Sequence, residues 1–393
     1  RPLSTKLIPM NIVCAETVIS GKLAFQSLGA CTICPDRDIT REHLLQTDAL
    51  IVRSKTKVDA ALLDGTPVKF VGTATAGTDH MDTNWLDQND ISWSAAPGCN
   101  ANSVAEHVTA SLLYLTQKKS FSLNQKTIGV IGCGNVGRAV IKKAQALHLN
   151  ILQNDPPRAA QEPDFKHTHL PSLLPECDII TLHTPLTEEG VWPTANLASY
   201  DFFESLKPGA IFINTSRGGI CDYDTWLHTQ EQQILTASIL DVWNPEPQIR
   251  PDCIQQATLA TPHIAGHSFE GKFNGTLACY QALCKKYNLT PSWDHQADIP
   301  EAPVPYLEVD ATLFKTEEAL LHHIIQTVYS IEHDDQQLRL NLPTGEIERA
   351  IHFDQLRKNY PLRREFNATQ LRLHNASEQT EHKLSKLGFQ ICF

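Results

Sequence analysis

The chain has 393 residues, two to four times the size of a common domain, so two or three domains are expected. Apolar residues at 41% and charged residues at 20% are ordinary for a globular protein and exclude a disordered or collagen-like chain. Thirty-three Lys and Arg against 44 Asp and Glu leave a net charge of −11 with no basic block. That argues against a general nucleic-acid or anionic-membrane binder, yet leaves room for a local cationic pocket holding one small anion.

Arg1 and Lys6 precede an apolar run that imitates a signal peptide, but Pro9 and Asn11 break it. We read Met10 as a natural start and residues 1–9 as an upstream extension. No stretch of about 18 uninterrupted apolar residues follows, so no membrane-spanning helix is expected. From Asn11 to Cys99, short apolar runs (NIVCA, ALIVRS, KFVGTATAG, ISWSAA) alternate with helical patterns such as Val18–Leu28. Strands separated by helices imply parallel pairing and an α/β layer. An apolar helix, Ser103–Thr116, comes next, with Glu106 and His107 assigned to its polar side. A second alternating series runs TIGVIG, a helix over 136–148, NILQND, DIITLHT, AIFINTS, TASILDVW and TLATPHI, and a helix over 268–287 closes it. Pro291, Pro300, Pro303 and Pro305 mark a linker to a separate C-terminal unit. The eleven cysteines are scattered through apolar runs, which suits a reducing, cytoplasmic compartment. Cys31 and Cys34 form one CxxC without a second pair, so no metal site is expected.

TIGVIG runs straight into Gly132-Cys-Gly134-Asn-Val-Gly137 and a helix, the strand–glycine turn–helix context of a dinucleotide fingerprint. Gly132 permits the tight turn, Gly134 the approach of a pyrophosphate, and Gly137 close packing of helix on strand. Asp155 ends the next strand, where a carboxylate accepts ribose hydroxyls and repels a 2′-phosphate, favouring NAD over NADP. Arg158 lies near enough to soften that repulsion. Three later strand ends carry polar groups: Arg217 after AIFI, Asp241 and Glu246 after TASIL, and His263 after TLA. Alone, each reads as structural: a surface cation, a turn acid, a satisfied histidine. Together, on carboxyl edges of one sheet, they form a set that alcohol oxidation needs. An imidazole takes the hydroxyl proton, a carboxylate orients it, and a guanidinium fork holds a substrate carboxylate.

The fingerprint, Asp155, Arg217, Glu246 and His263, in this order, resemble the D-2-hydroxyacid dehydrogenases over roughly residues 10–290. The resemblance implies two Rossmann-like, doubly wound parallel-sheet domains and NAD as cofactor. It implies that Arg217 binds the substrate carboxylate, that His263 is the acid/base and that Glu246 orients it. Thr184, Thr215, Ser216, Arg217, Asp241 and Gly266 would line the NAD pocket. Stretches such as VRSKTKVDAALLDG, FVGTATAGTDHMD and HIAGHSFEGK, with the tail FDQLRKNYPLRREF, are similar to the branch of that family that oxidises 4-phospho-D-erythronate to 3-hydroxy-2-oxo-4-phosphobutanoate. That reaction belongs to pyridoxal 5′-phosphate biosynthesis. In this branch Ser54, Thr75 and the residue after HIAG contact substrate; that residue, commonly Tyr, is His267 here. The branch also implies a small α+β C-terminal domain that makes a homodimer. The expected domains are therefore 10–103 with 266–290 for substrate, 104–265 for NAD and 291–393 for dimerisation. A cytoplasmic enzyme on a phosphorylated small hydroxy acid, with no nucleic-acid or membrane partner, is the resulting expectation. Another D-2-hydroxyacid dehydrogenase, of phosphoglycerate or glycerate type, and a non-catalytic NAD-sensing protein are the alternatives. The basic run Arg357, Lys358, Arg363 and Arg364 could reach a phosphate or be structural.

Overall fold

The computed structural model describes residues 10–119 and 121–392; the proposed upstream extension, 1–9, lies outside them. By its internal contacts the chain divides into two compact units, Arg1–Asn100 with Phe269–Pro300, and Ala101–Ser268 with Glu301–Phe393.

In the first unit the four apolar runs become strands β1 (Met10–Ala15), β3 (Ala49–Val52), β4 (Phe70–Thr73) and β5 (Ser92–Ser94), and a further strand, β2 (Gly29–Cys34), which was not among those runs, forms over the CxxC stretch. They form one parallel sheet in the order β2-β1-β3-β4-β5. β3 and β4 are buried along their whole length, as a parallel sheet covered by helices requires. Helix Phe269–Tyr287 returns to this layer, where Tyr280 packs on Phe25 at 6.1 Å between ring centroids. A Cβ on Gly275 would sit 2.5 Å from the carbonyl oxygen of Ala74, so only glycine lets the helix approach β4 this closely.

The second unit holds β6 (Thr127–Ile131), β7 (Asn150–Asn154), β8 (Ile179–Leu182), β9 (Ala210–Asn214), β10 (Leu235–Leu240) and β11 (Leu259–Ala260). All pair in parallel, in the order β11-β10-β9-β8-β6-β7. The chain starts at β6 and winds outward both ways, so the strand order reverses between β6 and β8. At such a switch point the loops beyond the carboxyl ends part and leave a crevice for ligand.

Residues 301–393 belong to the same unit. They add a three-stranded parallel sheet, β12 (Tyr306–Asp310), β13 (Gln370–His374) and β14 (Gln390–Ile391). Leu320, Leu321, Ile324 and Ile325 of helix Glu317–Val328 share one core with Val108, Leu112 and Leu115 of helix Ala101–Lys118. Leu338 and Phe353 join the core on the sheet's other face, with Leu240, Ile254 and Ala260. This packing corrects the reading of Glu106 and His107 as a polar face: both are fully buried. Glu106 meets Lys143 at 3.6 Å and accepts the Phe366 amide at 3.0 Å, while His107 bonds Thr261. Among the described residues no helix is long and apolar enough to cross a membrane.

Candidate active site

The glycine loop lies at the β6/β8 switch point. Gly132 has φ +86°, and a Cβ there would meet the His183 carbonyl and the Thr184 amide at 2.7 to 2.8 Å. A Cβ on Gly137 would lie 2.0 Å from the Gly132 carbonyl oxygen, whereas one on Gly134 would meet nothing within 4 Å. Gly132 and Gly137 thus serve chain packing, and Gly134 leaves open space at the start of helix Asn135–Ala146, which no side chain caps. Its first-turn amides are available to an anion. Thr184 Oγ1, on the facing loop, is buried and without a hydrogen-bond partner in the structure. Asp155 follows β7, accepting the Cys133 amide at 2.8 Å and the Arg158 amide at 3.1 Å. An ionised carboxylate has about four acceptor sites, so two remain for a ligand. Arg158 does not turn toward that carboxylate: it pairs with Glu162 at 2.9 Å, donates to the Cys133 carbonyl and stacks on Phe165.

Beyond β9, the turn Asn214–Arg217 is organised by Asn214, a fully buried residue that the sequence reading passed over. Its Oδ1 accepts the Ser216 amide and hydroxyl at 3.1 and 2.9 Å, and its Nδ2 donates to the Arg217 carbonyl at 3.1 Å. The Thr215 hydroxyl lies 3.5 Å from His183 Nδ1. A Cβ on Gly218 would stand 1.8 Å from the Trp243 carbonyl oxygen, so the Arg217 turn and the segment after β10 can be this close only through glycine.

That segment and the one after β11 carry the acid–imidazole pair. Glu246 Oε2 lies 2.8 Å from His263 Nδ1, and Oε1 accepts the Trp243 amide at 2.7 Å. Burial pushes the Glu246 carboxyl up, but its attraction and hydrogen bond to His263, with help from Arg357, outweigh that and hold it below its ordinary value. His263 is itself in the left-handed region, φ +55°, a conformation that costs about 1 kcal/mol or more and persists only where its surroundings impose it. They do. Asp241 accepts the Thr261 hydroxyl at 2.6 Å and the amides of Ile264 and Ala265 at 2.8 and 2.9 Å. Trp243 Nε1 donates to the Thr261 carbonyl at 3.0 Å. Since Thr261 gives its proton to Asp241, His107 donates to it from Nε2, at 3.1 Å, and burial pushes the His107 imidazole down to about 3, which keeps it neutral. Both Asp241 oxygens are therefore engaged by the histidine loop.

Arg217, Glu246, His263, Gly266 and His267 all belong to the second unit; Ser54 and Thr75 belong to the first. Ser54 is exposed just after β3. Thr75, after β4, donates to the Gly77 carbonyl at 2.8 Å and lies 2.7 Å from the Thr73 hydroxyl. The His267 ring packs edge-on against Tyr360 of the C-terminal segment at 5.9 Å. Of the basic run, Arg363 takes the structural alternative. It is 5% exposed, stacks 3.7 Å from the Tyr329 ring centroid and donates to the carbonyls of Ala265 and Ser103. Asn214, Trp243, His107 and Arg363 gave no sequence signal beyond an aromatic, an amide or a charge near a motif.

Comparison with known proteins places the chain in a family. Residues 102–265 match the model of the D-isomer specific 2-hydroxyacid dehydrogenase NAD-binding domain, and 299–388 match a domain of unknown function. Erythronate-4-phosphate dehydrogenase of Cellvibrio japonicus is 41% identical over 97% of this chain and 100% of its own length. The Proteus mirabilis protein of the same name is 40% identical over 97% and 99%. Among solved structures, NAD+-bound 3-phosphoglycerate dehydrogenase from Entamoeba histolytica superposes with a TM-score of 0.61 at 25% identity, covering 72% of this chain and 98% of that one. D-Lactate dehydrogenase from Aquifex aeolicus, at 23% identity and TM-score 0.59, covers 74% and 97% and shares the fold. With relatives about 40% identical along nearly the whole length, the chain belongs to the erythronate-4-phosphate dehydrogenase family of NAD-binding D-2-hydroxyacid dehydrogenases.

Proposed function

We propose that this chain oxidises 4-phospho-D-erythronate to (R)-3-hydroxy-2-oxo-4-phosphooxybutanoate, with NAD, in pyridoxal 5′-phosphate biosynthesis. The observation that carries the chemistry is the 2.8 Å contact of Glu246 Oε2 with His263 Nδ1 at the carboxyl edge of a sheet whose switch point fits a dinucleotide. The fit rests on the open space at Gly134, the uncapped helix start, the carboxylate of Asp155 and the buried Thr184 hydroxyl without a partner. Gly132, Gly134, Gly137, Asp155, Thr184, Thr215, Ser216 and Gly266 would hold NAD, which supplies a hydride acceptor when bound.

The rest is done by side chains. With Glu246 ionised, its oxygen accepts from Nδ1–H of His263, which leaves the Nε2 lone pair to take the proton of the substrate 2-hydroxyl as the C2–H bond breaks. The carboxylate then stabilises the imidazolium formed. Arg217 offers a planar fork to the substrate carboxylate. Ser54, Thr75 and His267 offer hydrogen bonds to the remaining hydroxyl and phosphate oxygens. Asp241, whose oxygens face the loop, braces His263. A homodimer is supported by Ile347 and Ile351, 73% and 51% exposed one turn apart on helix Glu346–Lys358. A cytoplasmic setting is supported by eleven free cysteines.

NADH formation from 4-phospho-D-erythronate, 3-phosphoglycerate and D-lactate, each with and without a 2-oxo acid to recycle the cofactor, tests the reading. The expected result is a preference for 4-phospho-D-erythronate of about a thousandfold in kcat/KM over D-lactate, which lacks the phosphate, and of about tenfold to a hundredfold over 3-phosphoglycerate, which is one carbon shorter. Turnover of another acid alone overturns the substrate assignment. NADH binding without turnover on all three points to a sensor.

A further inference from the structure

The histidine loop runs from Ala260 at the end of β11 to Ser268, and its inner side is held by Asp241, Trp243 and His107. Its outer side is held, point by point, by the C-terminal segment. The Ala260 amide donates to Asp335 Oδ1 at 2.7 Å, and Asp335 is itself gripped by Arg339 at 2.9 Å. The Ala265 carbonyl accepts from Arg363 Nη1 at 3.1 Å, while Nη2 of the same guanidinium donates to the Ser103 carbonyl at 2.7 Å. Tyr360 packs on the ring of His267, with its hydroxyl tied to Asp334 at 2.7 Å. Glu365 accepts from the hydroxyls of Ser103 and Ser268 at 2.8 and 3.2 Å. Four residues of residues 301–393 thus touch four points on a nine-residue loop. Arg363 is the pivotal one, because it is nearly inaccessible and because its contact is two residues from His263.

We infer that Arg363 is a positioning residue for the reaction: its guanidinium, seated on Tyr329, fixes the Ala265 carbonyl and thereby the left-handed turn that aims the His263 imidazole at the Glu246 carboxylate. The C-terminal segment is then part of the catalytic apparatus of its own subunit, in addition to any part in assembly. Backbone bookkeeping supports this. The amides of Ile264 and Ala265 go to Asp241, the Ile264 carbonyl accepts the His267 amide at 2.8 Å, and the Ala265 carbonyl has Arg363. Removing the guanidinium leaves a buried carbonyl with its donor gone and a turn free to relax. A lysine keeps the charge, but a single ammonium cannot reproduce the planar fork that spans the Ala265 and Ser103 carbonyls.

The inference rests on the reading of His263 as the base, and the test separates the two. Full-length Arg363→Met, Arg363→Lys and His263→Gln are compared with the parent for NADH formation from 4-phospho-D-erythronate, for NADH affinity and for amide hydrogen exchange. Arg363→Met is expected to lower kcat about a hundredfold, the scale of an ångström-sized misplacement, with KM and NADH affinity within about threefold. Arg363→Lys should recover about tenfold of that loss. The isotope effect on kcat with substrate deuterated at C2 should rise in the methionine variant, because misaligned chemistry becomes the slow step. Exchange at Ile264 and Ala265 should quicken while that of β6 to β10 stays as in the parent, a result that does not depend on turnover. Parental kcat and parental exchange in Arg363→Met overturn the positioning role, as does a loss equal in the lysine and methionine variants with exchange quickened throughout the unit. If His263→Gln keeps parental turnover, the base assignment itself falls, and with it the aim of the turn. Should Arg363→Met not fold, Asp335→Ala removes a single grip on the Ala260 amide and is read by the same measurements, with a smaller loss of about tenfold expected.

Discussion

The glycine loop and the histidine loop sit on the same sheet and share the proposed reaction, yet they are built in opposite ways. Gly132–Gly137 is shaped by what is missing: a Cβ at Gly137 would strike the Gly132 carbonyl at 2.0 Å, and one at Gly132 the next strand's loop at 2.7 Å. Its instructions are packed into six consecutive residues. The loop from Ala260 to Ser268 is shaped by what is added. Its conformation is imposed by Asp241, Trp243, His107, Asp335 and Arg363, which come from positions across more than two hundred residues of chain. The first kind of site is robust to everything except its own sequence, and the second depends on distant packing.

Substitutions can break this contrast. Gly137→Ala is expected to have the largest effect, weakening NADH binding by a hundredfold or more, about 3 kcal/mol, because the clash is with backbone and cannot be relieved by a rotamer change. Titration of NADH fluorescence checks it; unchanged affinity would mean that the loop relaxes more easily than its packing implies. Glu246→Gln should lower kcat by about tenfold to a hundredfold while NADH affinity holds. It should also alter acid stability in a defined direction. Because the Glu246 carboxyl is held below its ordinary value, the pair stabilises the fold above the unfolded-state carboxylate range, and that stability is lost as pH falls through the folded value. Urea melts at descending pH should therefore show the parent losing its advantage over Glu246→Gln in acid.

Asp241→Ala removes a buried acceptor of three hydrogen bonds and is expected to cost about 3 kcal/mol, read as a lower urea midpoint with an unchanged slope. A cost under about 1 kcal/mol would mean that the C-terminal grips alone suffice to hold the loop. Trp243→Phe deletes the bond to the Thr261 carbonyl together with part of a buried ring stacked on Tyr223, for about 2 kcal/mol or more, and removes one brace while leaving the Asp241 bonds in place.

The same contrast explains what could be read from the residues. Both parallel sheets were legible in outline, because an apolar run marked each strand but β2, whose stretch GACTIC mixes small and polar residues, and a helical pattern separated most runs from the next. The glycine fingerprint was legible as a motif, and Arg217, Glu246 and His263 as polar residues closing three strands. The buried faces of Glu106 and His107 were not, since the neighbours that bury them, Lys143, Phe366 and Thr261, lie 37 to 260 residues away. Arg363 stood within a basic run for which a phosphate contact and a structural role were both open. Only the position of Ala265 shows that its fork closes on backbone carbonyls. The prolines from 291 to 305 pointed to a linker before a separate C-terminal unit, but nothing in them said that Leu320, Ile324 and Phe366 would complete a core with helix Ala101–Lys118.

The most direct test of the account is His263→Gln assayed beside the parent for NADH formation from 4-phospho-D-erythronate and for NADH affinity. Loss of turnover by about a thousandfold or more, with NADH affinity within about threefold of the parent, is the result predicted for a proton acceptor that makes no part of the cofactor cradle. Turnover at the parental rate would contradict it, and would return Glu246 and the loop around His263 to a purely structural role.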